Sequence, residues 1–245
     1  MGRLVVDRGL NAIDASGLRF RWPGAAADCL SITSLKVERG ACVFVYGPSG
    51  CGKSTLLSLL AGVLSPTQGE LRVLGHDLGR MSAPGRDRLR ADTIGYLFQQ
   101  FNLLPYLSAI DNVMLPTRLS ALRRTKAERS GTALSRGQAL LSAMGLGARE
   151  WGQRAAALSV GQQQRVAAAR ALIGDPALVI ADEPTSALDA TRRDEFMDLL
   201  ITACHGAGST LVFVSHDTAL ARRFDISLEL PALNAAPAAA QEAIA

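Results

Sequence analysis

Apolar and polar residues alternate over Leu18-Arg-Phe-Arg-Trp22 and again over Leu30-Ser-Ile-Thr-Ser-Leu-Lys-Val37, with Pro23-Gly24 between them. Period two predicts half-buried strands, and the Pro-Gly pair predicts the turn that joins them. Ala41-Cys-Val-Phe-Val-Tyr46 is apolar throughout and predicts a strand buried on both faces, followed by a helix beginning near Gly52 and ending near Gly62. Glu70-Leu-Arg-Val-Leu74 alternates again and Gly75-His76-Asp77 predicts a turn. Arg86-Asp-Arg-Leu-Arg90 predicts a short surface helix, and Thr93-Ile-Gly-Tyr-Leu-Phe98 a buried strand with Gln99 at its end. From Ser108 to about Gly174 the pattern is helical and Ala/Leu/Arg-rich, with breakers expected at Pro116, Gly145, Gly147 and Gly152. Its last helix begins at Ser159, where Ser159-Val-Gly-Gln162 fits a capping box, and Val166, Ala169 and Ile173 form its apolar face. Ala177-Leu-Val-Ile-Ala181 is another continuous apolar run, ending in Asp182-Glu183. An amphipathic helix to His205, a strand over Thr210-Leu-Val-Phe-Val214 and a short strand at 226–230 complete the pattern.

The stretch that gives this pattern a chemistry is Gly47-Pro-Ser-Gly-Cys-Gly-Lys-Ser-Thr55, which follows a buried strand and opens a helix. Strand, glycine loop and helix in that order are the context in which G-x-x-x-x-G-K-[ST] binds a nucleoside triphosphate. Gly47, Gly50 and Gly52 let the backbone turn its N–H groups onto phosphate oxygens, with Pro48, Ser49, Cys51 and Thr55 completing the loop. The helix adds its unpaired first-turn N–H groups and positive end. Lys53 reaches the β- and γ-phosphates and the Ser54 hydroxyl holds Mg²⁺. ATP is the expected nucleotide. Asp182 and Glu183 at the end of a buried strand are costly to desolvate without a cation, and Mg²⁺ with its waters supplies the reason for them. Trp22, preferred here over Phe20, has two uses open, stacking on adenine or packing the β lobe. The whole order predicts an α/β fold. It has a phosphate-loop NTPase core with a mainly parallel sheet, an antiparallel β lobe ahead of it and an inserted helical lobe at about 105–175.

Composition narrows the partners. A chain of 245 residues accommodates one such domain, expected over 13–232, with a loose N-terminus at 1–12 and an Ala-rich, poorly ordered tail at 233–245. A net charge of +4, with no basic run interleaved with aromatics, reads as solubility charge and argues against nucleic acid. The densest positive patch, Arg123-Arg124-Thr-Lys126, reads as a solvated helix face, with anionic lipid headgroups as the alternative. The four cysteines, at 29, 42, 51 and 204, have neither metal-site nor C-x-x-C spacing, which fits a reducing compartment. Cys42 reads as a small buried hydrophobe. Cys51, close to Lys53 and a helix N-terminus, reads as a reactive thiol. The N-terminus lacks an apolar signal core and no run approaches the ~20 apolar residues of a span, so a cytosolic protein, or one peripheral through a partner, is expected.

Taken together, these stretches resemble the nucleotide-binding subunits of ABC transporters from about residue 13 to 230. Leu158-Ser-Val-Gly-Gln-Gln-Gln-Arg165 is similar to the family signature, usually Leu-Ser-Gly-Gly-Gln, and departs from it at Val160. That departure bears on loop flexibility more than on ATP contact. The resemblance implies that Asp182 supports Mg²⁺, that Glu183 polarises the attacking water, and that His216 contacts the γ-phosphate region. It implies that Gln99 senses Mg²⁺ and couples to a membrane partner, and that 186–189 links two sites across a homodimer. Ser159, Gly161 and Gln162 then serve ATP held by the other copy. Gly95-Tyr-Leu-Phe-Gln-Gln-Phe-Asn-Leu-Leu-Pro105 with Asp111-Asn-Val113 is similar to the lipoprotein-release and macrolide-efflux branch. That branch implies an ATPase held at the inner face of the cell membrane by an integral permease. The alternative is a cell-division-type ATPase that signals to periplasmic hydrolases through a membrane partner.

Overall fold

The structure, a computed structural model, describes residues 11–186 and 188–236. In chain order the elements are β1 (Asn11–Phe20), β2 (Leu30–Glu38), β3 (Cys42–Tyr46), α1 (Lys53–Leu60), β4 (Gln68–Val73), β5 (His76–Asp77), α2 (Ala83–Thr93) and β6 (Ile94–Leu97). There follow α3 (Ala109–Leu119), α4 (Ala121–Ala127), α5 (Ala133–Ala143), α6 (Ala148–Trp151), α7 (Val160–Leu172), β7 (Leu178–Asp182), α8 (Ala190–Ala207), β8 (Thr210–Val214), β9 (Ile226–Glu229) and α9 (Leu230–Leu233). The described residues form two compact units, one within 1–90 and 212–245 and one within 91–211.

In the first unit an antiparallel sheet of order β2-β1-β4-β5 carries the alternating segments. Ala15 pairs with Leu35 on one side and Leu71 on the other, and all three are buried. The register of β1 against β4 shifts between Ser16 and Arg19, where Gly17 has φ 54°. Opposite it, a Cβ on Gly69 would lie 2.1 Å from the Gly17 carbonyl oxygen, so this bulge closes only with glycine on β4. His76-Asp77, expected as part of a turn, pairs instead with Arg72 and Val73, because Leu74 and Gly75 at positive φ complete the reversal first. The apolar run of β3 lies between β8 and β9, parallel to β9 with Val43 opposite Ile226. Phe44, Phe213 and Phe224 pack against one another at centroid separations of 5.3 to 6.2 Å and fill this part of the core. The expected loose N-terminus gives way at Asn11, which already belongs to β1; residues 1–10 lie outside the described residues. The tail holds on further than composition predicted. Asn234 Oδ1 accepts from the Ser31 N–H at 2.7 Å and its Nδ2 donates to the Cys29 carbonyl at 3.0 Å. Residues 237–245 lie outside the described residues.

In the second unit β6 and β7 pair in parallel, Ile94 opposite Leu178 through Leu97 opposite Ala181. Helices α3 to α7 occupy most of the sequence between these two strands. Pro116 lies inside α3 and does not end it; the Ser120 N–H donates to the Pro116 carbonyl at 3.0 Å, and Ser120 then caps α4 through the Arg123 N–H. The basic patch on α4 is not uniformly solvated. Arg123 is 3% exposed and donates to the carbonyls of Ile173, Ala171 and Ile94 at 2.9, 2.6 and 3.3 Å. Sequence spacing gave no warning, because α4 is a short helix whose buried stripe contains little else than Arg123 and Ala127. Among the described residues no helix is long and apolar enough to cross a membrane.

Candidate functional site

In the first unit, β3 delivers the chain into the glycine loop and α1 takes it away. Gly52 is the N-cap of α1 at φ 99°, and a Cβ there would come within 2.8 Å of Leu30 Cδ2, so the loop seats against β2 only without a side chain. A Cβ on Gly47 would meet Cys51 Sγ at 2.7 Å and Pro231 at 2.9 Å. Pro48, Ser49 and Gly50 are exposed, as is Ser54 in the first turn of α1, and Thr55 is buried. Lys53 is only 9% exposed, and its Nζ donates to the carbonyls of Gly47 and Pro48 at 2.9 and 2.8 Å. An ammonium has three N–H groups, so one remains for an anion lying in the loop. Replacing Lys53 by Ala removes a charge-assisted hydrogen bond of about 1.5–3 kcal/mol and is expected to weaken ATP binding roughly 10- to 100-fold, read by titration of a fluorescent ATP analogue. Unchanged affinity would exclude Lys53 from phosphate binding.

His216 is exposed at the end of β8, where the Ser215 N–H donates to the Val45 carbonyl at 3.3 Å, two residues before the glycine loop. In parallel α/β sheets the strand ends of this kind face the ligand crevice. Trp22 follows β1 and meets Phe20 edge to face, 5.1 Å between centroids, while its indole N–H is buried without an acceptor among the described residues. The packing use of Trp22 is therefore visible here. Cys51 corrects the reading of a reactive thiol. It is 1% exposed, and burial raises its pKa by more than the neighbouring Lys53 lowers it. Its sulfur packs inside the loop, in the space a side chain on Gly47 would enter. Cys42 is likewise buried, its thiol pushed up to about 12 by burial and Asp225, as a packing residue should be.

In the second unit, β7 ends at Asp182, half-buried, and Glu183 follows with φ 43°. A left-handed backbone at a residue with a Cβ costs about 1–2 kcal/mol, so the surrounding structure holds Glu183 in place. Burial and the Asp182 carboxylate both raise the pKa of Tyr96, which stacks on Phe98 at 4.3 Å. Gln99 is exposed just past β6. Its loop is pinned by Arg170 and Asn112, to which the sequence pattern assigned no such part. Arg170 donates to the carbonyls of Phe101 and Asn102, at 2.5 and 2.6 Å, both residues having positive φ. Asn112, fully buried, accepts from the Leu104 N–H at 2.8 Å and donates to the Leu104 carbonyl at 3.1 Å. The available signal was an arginine set among the buried alanines of α7. Ser159 caps α7 through a complete capping box: the Gln162 N–H donates to its Oγ at 3.3 Å, and the Ser159 N–H donates to Gln162 Oε1 at 2.9 Å. The end itself stays at the surface, with Ser159 exposed, Val160 52% exposed and open space around the Gly161 Cα.

Known proteins similar to this chain identify its family. The ABC transporter family model matches residues 30–186. The uncharacterized ABC transporter ATP-binding protein YbbA of Escherichia coli K12 is 42% identical over 201 residues, 82% of this chain and 85% of YbbA. The lipoprotein-releasing system ATP-binding protein LolD of Xanthomonas oryzae pv. oryzae is 40% identical over 198 residues, 80% of this chain and 78% of LolD. The macrolide export ATP-binding/permease protein MacB 1 of Aeromonas hydrophila is 42% identical over 200 residues, 80% of this chain but 29% of that larger protein. Among solved structures, the ATP-binding cassette MJ0796, a dimer in a post-hydrolysis state bound to ADP and Pi, superposes with a TM-score of 0.76 at 32% identity, covering 89% of this chain and 94% of that one. This chain belongs to the ABC transporter family, as an ATP-binding protein that hydrolyses ATP.

Proposed function

We propose that the protein works as a homodimer with two composite ATP sites, driving an integral permease of the lipoprotein-release or macrolide-efflux type from the inner face of the membrane. The observation that carries the dimer is the exposed, pre-capped N-terminus of α7. An apolar residue, Val160, lies open beside Ser159 and Gly161, at the positive end of a 13-residue helix. Capping explains why Ser159 is there; it does not explain why Val160 is left in solvent. ATP on the phosphate loop of a second copy answers both. The names of the relatives LolD and MacB support the export branch, and the dimeric MJ0796 supports the pairing.

The donor set suits Mg²⁺: the Ser54 hydroxyl, the Asp182 carboxylate and the Gln99 amide oxygen are the hard oxygens this ion takes. When bound, Mg²⁺ neutralises charge on the β- and γ-phosphates. Lys53 and the loop N–H groups hold the same phosphates, and His216 supports the γ-phosphate. Glu183 accepts a proton from the water that attacks the γ-phosphorus as the bond to the bridging oxygen breaks, giving ADP and inorganic phosphate. Ser159 and Gly161 of the second copy complete the phosphate shell, so turnover waits on dimerisation.

Replacing Ser159 by Arg places a bulky cation at that end and is expected to leave ATP binding to the single chain within about twofold while abolishing the ATP-dependent dimer seen by light scattering. A dimer of wild-type strength would overturn the composite site. Affinity capture in detergent then identifies the permease; recovery of a division-type partner would redirect the reading to signalling.

A further inference from the structure

The three consecutive glutamines of α7 do three different things. Gln162 closes the capping box onto the Ser159 N–H at 2.9 Å, and Gln163 Nε2 donates back to the Leu158 carbonyl at 2.9 Å. Gln164, one further step round the helix, is 1% exposed, and its Nε2 donates to the Pro184 carbonyl at 2.7 Å. That carbonyl lies inside the turn that starts at Glu183 and is closed by the Ser186 N–H donating to the Glu183 carbonyl at 3.3 Å. Pro184 brings no N–H, Glu183 sits at φ 43°, and both Pro184 and Thr185 are buried. A buried amide has few ways to satisfy its hydrogens, so this bond sets the distance between helix and turn.

We propose that Gln164 is a positioning residue for hydrolysis. Its amide is a strut that joins the α7 end, on which Ser159 and Gly161 sit, to the turn that aims the Glu183 carboxylate. The inference rests on the reading of Glu183 as the proton acceptor and goes further. Engagement of the α7 end by ATP on a second copy is felt at Glu183 of the same chain, so occupancy of one composite site tunes chemistry at the other. Gln164 itself is buried and would act only through the turn it holds.

Gln164→Met keeps the length and volume of the side chain and removes the donor. The expected result is a kcat lower by about 10- to 100-fold, the scale of a displaced reacting group, with KM for ATP within about twofold of wild type. Gln164→Glu gives a readout that a merely structural role would not move. A buried carboxyl has a raised pKa; its acid form can donate to the Pro184 carbonyl and its carboxylate cannot. Its kcat relative to wild type should therefore rise as pH falls from about 8 to about 6, with thermal denaturation followed in parallel to show that both states are folded. A kcat within about twofold of wild type for Gln164→Met, or a flat pH ratio for a folded Gln164→Glu, overturns the proposal. Should Gln164→Met not fold, the pH ratio of Gln164→Glu decides alone. Glu183→Gln, assayed alongside, separates the two readings: active Glu183→Gln removes the role of Glu183 itself, whereas inactive Glu183→Gln beside wild-type Gln164→Met removes only the strut.

Discussion

Glu183→Gln is expected to lower ATP turnover by about 10²–10⁴-fold while leaving ATP affinity within about twofold, the range that a positioned general base contributes. Gln has the shape of Glu and tolerates the same surroundings, so the turn at φ 43° and the Gln164 strut are preserved. On the proposed mechanism, what is lost is the proton acceptor for the attacking water. Binding and chemistry should then separate: on the proposed function Lys53 and the loop would still hold ATP, hydrolysis would no longer open the pair, and an ATP-bound dimer should accumulate. Single-turnover hydrolysis, a fluorescent-ATP titration and light scattering with and without ATP read the three quantities independently. Wild-type turnover would remove Glu183 from the reaction. Turnover lost together with ATP binding would instead mean that the substitution had disturbed the phosphate loop.

The second large effect concerns stability and lies away from the nucleotide. Arg123→Met is expected to destabilise the protein by about 3–5 kcal/mol, the scale seen when one member of a buried ionic network is removed. Three carbonyls, at Ile94, Ala171 and Ile173, lose their donor at once. Two of them lie at the C-terminal end of α7, where helical carbonyls have no partner of their own. Burial pushes the Arg123 pKa down to about 10, against the pull of Asp175 and Asp92, so the group is still a cation at neutral pH. At about 2–4 °C per kcal/mol for a protein of this size, the melting temperature should fall by on the order of 10 °C. Arg123→Lys should recover little of it, because one ammonium cannot reproduce a planar fork aimed at three oxygens. A melting temperature within about 2 °C of wild type would show that the network is dispensable.

Much of the nucleotide chemistry is written in short, contiguous stretches, and for that reason it was legible in the chain. On the proposed function, Gly47–Thr55 holds phosphate through backbone N–H groups and one lysine that are neighbours in sequence, so its spacing specifies its geometry. The Ser159–Gln162 capping box is local in the same sense, and both of its hydrogen bonds form as the four residues imply. The boundaries of most strands follow from period and apolar runs, since these reflect which faces are buried. Pro116 misled because local propensity marks it as a stop, while α3 continues through it to Leu119.

What the chain alone could not decide are the bonds between residues far apart in sequence. Arg123 reads as a surface charge until the carbonyls of residues 171 and 173 are brought to it. Cys51 reads as an activated thiol because Lys53 is adjacent, yet its reactivity depends on how much water reaches it, and burial wins. Gln164 is one glutamine of three until Pro184 meets it across 20 residues of sequence. By itself the sequence determined that the chain is an ATP-binding protein and that its glycine loop lies between a buried strand and a helix, because that stretch is contiguous and set by residue type. Only the tertiary structure decided which polar groups are desolvated and what they hold in place, because desolvation is a property of the packed chain and not of any segment of it.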